Sequence, residues 1–358
     1  MRILHVLAGA NHGGAETACI DMCIAMHEAG HVIEVVTRSN AIRVPRLQKA
    51  GIKVHCLPFG GKLDFYTRLA LKKIIRGFRP DIVQTWMSRA SDKTPRWHAS
   101  MGIPRYATVA RLGGYYKLKY YQSTDYFITI TPDIKRHLVD LGVPANKVQH
   151  INNFAETEEL VEPASRAAHG IPPDAPLLFG LGRLHTSKAF DTLIRVVSSM
   201  EGVCLWIAGE GPMRGELEHL INELNVRDRV KLLGWRSDRA ALFQASDICV
   251  FSSRYEPFGT VFVQSWAQKI PLVTTRADGP KQFVRDEEDG LVVPIDDEKE
   301  MRKAIERLLA DSDLRNKLVL NGYKRYIEEF TKEKSVAAYI AYYQDIRNRE
   351  KIPLSAAE

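Results

Sequence analysis

No run of this chain reaches the roughly 18 consecutive apolar residues that suggest a membrane-crossing helix, so nothing in the sequence marks a membrane span. The apolar beginning, MRILHVLAGANHGG, is short, and His12, Gly13 and Gly14 interrupt it without a cleavage site. It therefore reads as a first buried strand rather than as a secretion signal. Cysteine is sparse and odd in number: five residues, Cys19, Cys23, Cys56, Cys204 and Cys249, all within apolar strand or helix patterns where reduced thiols are buried. Cys19 and Cys23 share one helix face, yet no histidine or further cysteine pair completes a metal site. That usage suits a reducing compartment, expected to be the cytoplasm. An HExxH motif, a zinc ligand set, a P-loop and a GxSxG elbow are all missing. The acidic DSD at Asp311 to Asp313 directly precedes a helical pattern, LRNKLVLNGYKRYIEE, where aspartate acts as an N-cap, so no metal is expected.

What is present is ordinary for a globular protein, with 45% hydrophobic and 26% charged residues. At roughly 150 residues per domain, a chain of 358 residues suggests two. Its charge of +7 is unevenly spread: Lys62 to Lys119 holds thirteen Lys and Arg against Asp64, Asp81 and Asp92, a net +10, so the remainder nets −3. The same region carries Trp86, Trp97, Tyr115, Tyr116, Tyr120 and Tyr121. Either this is a solvated basic face, or it is a surface for an anionic partner: acidic glycolipid and membrane, or nucleic acid.

Apolar strand-like runs alternate with amphipathic helical stretches. RILHVLA is followed by a helix from about Ala15 to Ala29, then VIEVVT, KVHCL, a helix through Tyr66 to Phe78, DIVQTW, RYATVA and YFITIT. A second series runs through PLLFGLG, VCLWIAG, VKLLGW, DICVFS, PLVTT and GLVVP. Such alternation is that of a parallel sheet wrapped by helices. The fold class expected is α/β, with two doubly wound, Rossmann-like domains over 1–160 and 170–331 and a polar connector within Asn152 to Pro176. Ligands of such sheets bind outside the carboxyl ends of the strands, which makes the cleft between the domains the expected active site. The aromatic-rich last helix, about 332–358, either packs back onto the first domain or serves ordinary core packing.

Four turns carry the candidate chemistry. GANHGGAE after the first strand offers backbone amides at Gly13 and Gly14, although its spacing is not GxGxxG and glycine turns of this kind are common. GLGRLHTSK sets Arg183 after Gly182 at a strand end and Lys188 before a helix, so that the two cations hold a diphosphate or are simply solvated. IAGEGPM, with Gly209, Glu210 and Gly211, lines a nucleotide pocket or makes a tight turn. In SSRYEPFGTVFVQSW, Glu256 precedes Phe258, Gly259, Thr260 and Val261, whose amides open a helix and suit a phosphate. Glu256 is then an acceptor for sugar hydroxyls or a carboxylate that only satisfies the helix dipole, and Gln264 stands two turns further along.

Together and in this order, GGAE, GLGRLHTSK, WIAGEGPM, VKLLGW, ASDICVFSSRYEPFGTVFVQSWA and DGLVVP resemble the GT-B retaining glycosyltransferases of family 4, over nearly the whole chain. The resemblance implies that Arg183 and Lys188 clamp the diphosphate and act with Glu256 as the catalytic set. Gly14, Gly182, Glu210, Arg236, Phe258, Gly259, Thr260, Val261 and Gln264 would bind the donor, a UDP-, GDP- or ADP-sugar, with no cofactor and no metal. It further implies that the last helix returns to the first domain. Two departures stand out. The family usually has Glu where this chain has Gln264, which loses a charge but still accepts from a ribose hydroxyl. Many relatives carry a histidine after the strand matched by RYATVA; here the segment reads ARLGGYY, so Arg111, with Gly13, becomes the acceptor-side candidate. ARLGGYY and WMSRAS look like a subgroup that builds envelope polysaccharide or lipopolysaccharide. The implied activity is hexosyl transfer to a glycolipid or polysaccharide, at the inner face of the cytoplasmic membrane through region 62–119, with no nucleic acid. The rival readings are a nucleotide-sugar epimerase of the same architecture and a non-catalytic anion- or nucleic-acid-binding protein.

Overall fold

A computed structural model describes residues 1–10, 13–61, 64–155 and 161–353. His12, Lys62, the middle of the polar connector and residues 354–358 of the expected last helix lie outside the described residues. The chain forms two compact units, one of Met1–Asn153 with Lys332–Glu358 and the other of Phe154–Thr331. Among the described residues no helix is long and apolar enough to cross a membrane.

In the first unit seven strands are β1 (Arg2–Leu7), β2 (Val32–Thr37), β3 (Lys53–Cys56), β4 (Ile82–Trp86), β5 (Ala107–Leu112), β6 (Tyr126–Thr129) and β7 (Val148–His150). All pairs are parallel, in the order β3-β2-β1-β4-β5-β6-β7. Every residue of β4 and β5 is buried. A parallel sheet covered on both faces needs such continuous burial, which is why these strands read as mainly apolar rather than alternating, with Gln84, Thr85, Thr108 and Arg111 as buried polar exceptions. At the sheet edges one strand is missed and one expectation fails. β7 is a three-residue edge strand with one fully buried side chain, too short to leave a pattern in the sequence. Cys56 is exposed, because it ends the edge strand β3 and has a neighbour on one side only.

The helix Phe65–Phe78 is capped by Asp64, which accepts from Thr67 N at 2.9 Å. It buries Thr67, Leu71, Ile75 and Phe78 at helical spacing against a core that includes Val6, Val36 and Val83. The helix Lys332–Glu350 buries Tyr339, Tyr343 and Ile346 in this unit. Tyr343 donates to Gln84 Oε1 on β4, and Tyr342 to Lys147 O at 3.0 Å. Glu350 accepts from Tyr126 at 2.7 Å and pairs with Arg105.

The second unit has β8 (Leu177–Leu181), β9 (Cys204–Ala208), β10 (Val230–Gly234), β11 (Ile248–Phe251), β12 (Leu272–Thr275) and β13 (Leu291–Val293), all parallel in the order β10-β9-β8-β11-β12-β13. The described end of the polar connector belongs here: Arg166 bonds Ala245 O at 2.8 Å and Asp247 at 3.0 Å. Asp311 caps the helix Ser312–Arg325 through Leu314 N at 2.8 Å, which accounts for the first Asp of DSD. Strand order reverses between β1 and β4 in one unit and between β8 and β11 in the other. Those are the switch points outside which ligands of doubly wound sheets bind.

Candidate active site

At the second switch point the chain leaves β8 through Gly182 and Arg183. Its turn is stitched to the loop after β9: Gly182 N donates to Ala208 O at 3.0 Å and Leu184 N to Glu210 O at 3.0 Å. A Cβ on Gly209 would lie 1.8 Å from Gly182 O, and one on Gly211 would lie 2.3 Å from Leu184 O. Both glycines of IAGEGPM are thus required for two backbones to touch, which explains the tight turn physically. Glu210 turns outward to pair with Arg214 at 2.8 Å.

The exit from β11 docks on the same structure. Arg254 N donates to Ser187 O, and Ser252 Oγ to Lys188 O, both at 2.8 Å. This brings Lys188 and Glu256 into an ion pair, with side chains only 18% and 16% exposed. The Lys188 ammonium also lies 5.6 Å from the centre of the Phe251 ring. Arg183 is exposed and makes no ion pair with any described residue. Gly259, at φ 86°, turns the chain into the helix Thr260–Ala267, whose first turn has no side-chain cap. Its leading amides are free for an outside acceptor. Thr260 and Val261 open this helix, and Phe258 anchors it among Phe262, Phe283 and Phe330. Gln264 is 5% exposed, and its amide makes no hydrogen bond with any described residue. Further out, the guanidinium of Arg236 is held by Asp238, at 2.8 Å from Nε, beside the exposed Trp235.

At the first switch point Gly13 caps the helix Gly14–Glu28, and Glu16 folds back into the turn to accept from Ala10 N at 2.7 Å. A Cβ on Gly9 or Gly13 would come within 2.5 or 2.3 Å of that carboxylate, so these glycines make room for Glu16, whereas Gly14 faces open space. Arg111 is not on a binding surface as expected. It lies on a central strand, 3% exposed, 4.7 Å from the centre of the Trp86 ring, with Nη2 bonded to Asn153 Oδ1 at 2.6 Å. An aromatic face and an amide oxygen partner it there, while its buried Nε has no partner among the described residues.

Two family models match parts of the chain: Glycosyltransferase Family 4 matches residues 12–159, and Glycosyl transferases group 1 matches residues 161–325. The lipopolysaccharide core biosynthesis glycosyltransferase LpsE of Rhizobium meliloti is 37% identical over 347 residues, spanning 95% of this chain and 98% of that protein. The chain belongs to the family 4 glycosyltransferases. A glycosyltransferase from Rickettsia africae superposes with a TM-score of 0.84 at 18% identity, over 96% of this transferase and 98% of that chain. HepE of Anabaena, solved with UDP and glucose, gives 0.80 at 19% identity, over 96% and 99%. At such identities the likeness is one of fold, the GT-B fold of two Rossmann-like domains.

Sequence reasoning passed over two residues that build this transferase's site. Arg254 bonds Asp191 at 2.9 and 2.8 Å, Asp296 at 2.7 Å and Thr186 O at 2.8 Å, and so clamps the Glu256 loop to the Lys188 turn. Its hydrogen bonds to Asp191 and then Asp296 raise its already high pKa against the opposing effect of burial. The signal was an arginine inside SSRYEP, but its partners are 63 and 42 residues away. Glu16 was visible only as the last letter of GGAE. Two cations, a carboxylate and uncapped amides can together hold a phosphorylated sugar by both its phosphate and its hydroxyls.

Proposed function

We propose that this protein is a retaining hexosyltransferase of lipopolysaccharide core or related envelope synthesis. It moves a sugar from a nucleoside diphosphate onto a glycolipid, with the donor on the second unit and the acceptor on the first. The observation that carries the donor side is the Lys188–Glu256 pair beside the uncapped start of Thr260–Ala267. On donor binding, Lys188 exchanges its carboxylate for the diphosphate, joined by Arg183 and the amides of Thr260 and Val261, while Glu256 turns to the sugar hydroxyls. The acceptor hydroxyl attacks the face that the diphosphate leaves, a departing phosphate oxygen takes its proton, and the cations and amides stabilise the growing negative charge. Those groups neutralise the leaving diphosphate by themselves, so transfer is expected to be unaffected by EDTA. NMR of the product should show the anomeric configuration of the donor. An inverted product would contradict the mechanism, and interconversion of the donor without acceptor would support an epimerase.

The name of the Rhizobium relative and the basic first unit support an envelope acceptor met at the inner face of the cytoplasmic membrane. Phe65, Tyr66 and Leu69 are exposed on the helix that also carries Arg68, Lys72, Lys73 and Arg76. Next to it lies a cavity of about 400 Å³ lined by Arg68, Lys72, Lys93, Arg96, Lys119 and Tyr120 among others. Apolar side chains among cations favour the surface of an anionic bilayer. Flotation with phosphatidylglycerol vesicles, and not with phosphatidylcholine alone, is expected; indifference to anionic lipid would count against docking.

A further inference from the structure

Three arginines of the first unit converge at the carboxyl ends of β1 to β4. Arg38 directly follows β2, Arg43 opens the helix Arg43–Lys49, and Arg89 lies in Ser88–Lys93 after β4. Arg38 Nη2 and Arg89 Nη1 both donate to Phe59 O, at 2.5 and 3.3 Å, and Arg38 Nε donates to Pro58 O at 3.1 Å. Arg43 is 2% exposed; it donates to Thr37 Oγ1 at 2.8 Å and to Ala10 O on the glycine turn, while its buried Nε has no partner among the described residues. None of the three pairs with a carboxylate among the described residues, and Glu16 on the same turn is already taken by Ala10 N. Some other arginines of this unit do have a carboxylate, as Arg46 has Asp21, Arg96 has Asp125 and Arg105 has Glu350. Crowding like charges is unfavourable: burial first, then Arg89 and Arg43, holds the Arg38 pKa below its usual value.

Main-chain carbonyls fix the three side chains but leave donors over, since a guanidinium has five and Arg89 uses one here. Exposure grades from buried Arg43 through half-buried Arg38 to exposed Arg89, so the cluster opens to solvent on one side. Planar forks with spare donors at the ends of parallel strands suit an oxyanion. We infer that Arg38, Arg43 and Arg89 bind an oxyanion of the acceptor, a phosphate ester or carboxylate carried by the sugar that receives the transfer or by its neighbour. This rests on the first unit being the acceptor side.

The test titrates the full-length protein with glucose 6-phosphate, glucuronate and glucose by calorimetry at low salt, in wild type, Arg38→Gln and Arg89→Gln. Glucose 6-phosphate or glucuronate should bind and glucose should not, and whichever anion binds names its source as phosphate or carboxylate. Each variant should weaken that binding at least 10-fold while the thermal shift with UDP, GDP or ADP stays as in wild type. If neither anion binds better than glucose, or both variants bind like wild type, the inference is overturned. Absence of any nucleotide shift in wild type would instead sink the donor-side reading. Should Arg38→Gln fail to fold, exposed Arg89→Gln decides.

Discussion

Gln264 lies buried in the second turn of the helix Thr260–Ala267, with Glu256 before the helix and outside it, and its side-chain amide makes no hydrogen bond with any described residue, so its polar atoms are available to a ligand without first breaking an internal bond. A carboxylate accepts stronger hydrogen bonds from hydroxyls than an amide does, but it is costlier to bury. Gln264→Glu is therefore expected to lower the donor KM about 3- to 10-fold at near-constant kcat, and to lower the apo melting temperature. Steady-state kinetics that give an unchanged donor KM would contradict contact with the donor. In the first unit, His5 Nδ1 accepts from Trp86 Nε1 at 3.0 Å, which leaves the proton on Nε2, which has no partner among the described residues. Burial pushes its pKa down to about 3 from the usual 6.5. The unfolded chain therefore binds a proton below pH 6.5 that the folded protein refuses until about pH 3. This contribution to stability is complete above the higher value and is lost as pH falls toward the lower, by at most about 1.4 kcal/mol per pH unit. Denaturant melts at pH 7, 6 and 5 should show a shallower pH dependence for His5→Gln than for wild type; equal slopes would contradict it. Individual site residues such as Lys188 and Glu256 were legible in their motifs. Their pairing across 68 residues was not, because only the parallel β8 and β11 bring them together.

Elements were more legible than residues, for a physical reason. Parallel strands inside such sheets are mostly apolar runs, so β8 to β13 and six of the seven strands of the first sheet can be read directly from the sequence even where a polar residue such as Gln84 or Arg111 interrupts them. Edge positions escape this logic, as β7 and the exposed Cys56 show. Turns are legible only where they need glycine. Gly259 combines φ 86° with an imagined Cβ 2.5 Å from the Phe251 ring and 2.8 Å from Glu256 Cγ. Gly259→Ala should destabilise the second unit by about 1–3 kcal/mol and displace Glu256 from Lys188. Chemical denaturation with donor titration checks both; wild-type stability would mean that the turn relaxes freely.

At the scale of the molecule, the chain leaves the first unit after Asn153 and re-enters it at Lys332, so the last helix is part of a core whose other members lie at least 180 residues earlier. Composition alone left its aromatics open to ordinary core packing. Tyr339, Tyr343 and Ile346 are fully buried by it, and at about 1.5–3 kcal/mol per large apolar side chain their loss rivals the stability of a typical domain. A chain ending at Thr331 should lose protease resistance in the first unit while the second still binds nucleotide. Equal resistance of both units would contradict the role given to the helix. The central claim is that Arg183, Lys188 and the start of Thr260–Ala267 hold a nucleoside diphosphate sugar. The most direct measurement is the thermal shift of wild type, Arg183→Ala and Lys188→Ala with UDP-, GDP- and ADP-glucose. One donor should raise the wild-type melting temperature, and each substitution should abolish that shift together with about 10²-fold of turnover. A full shift and near wild-type turnover in both variants would contradict the account.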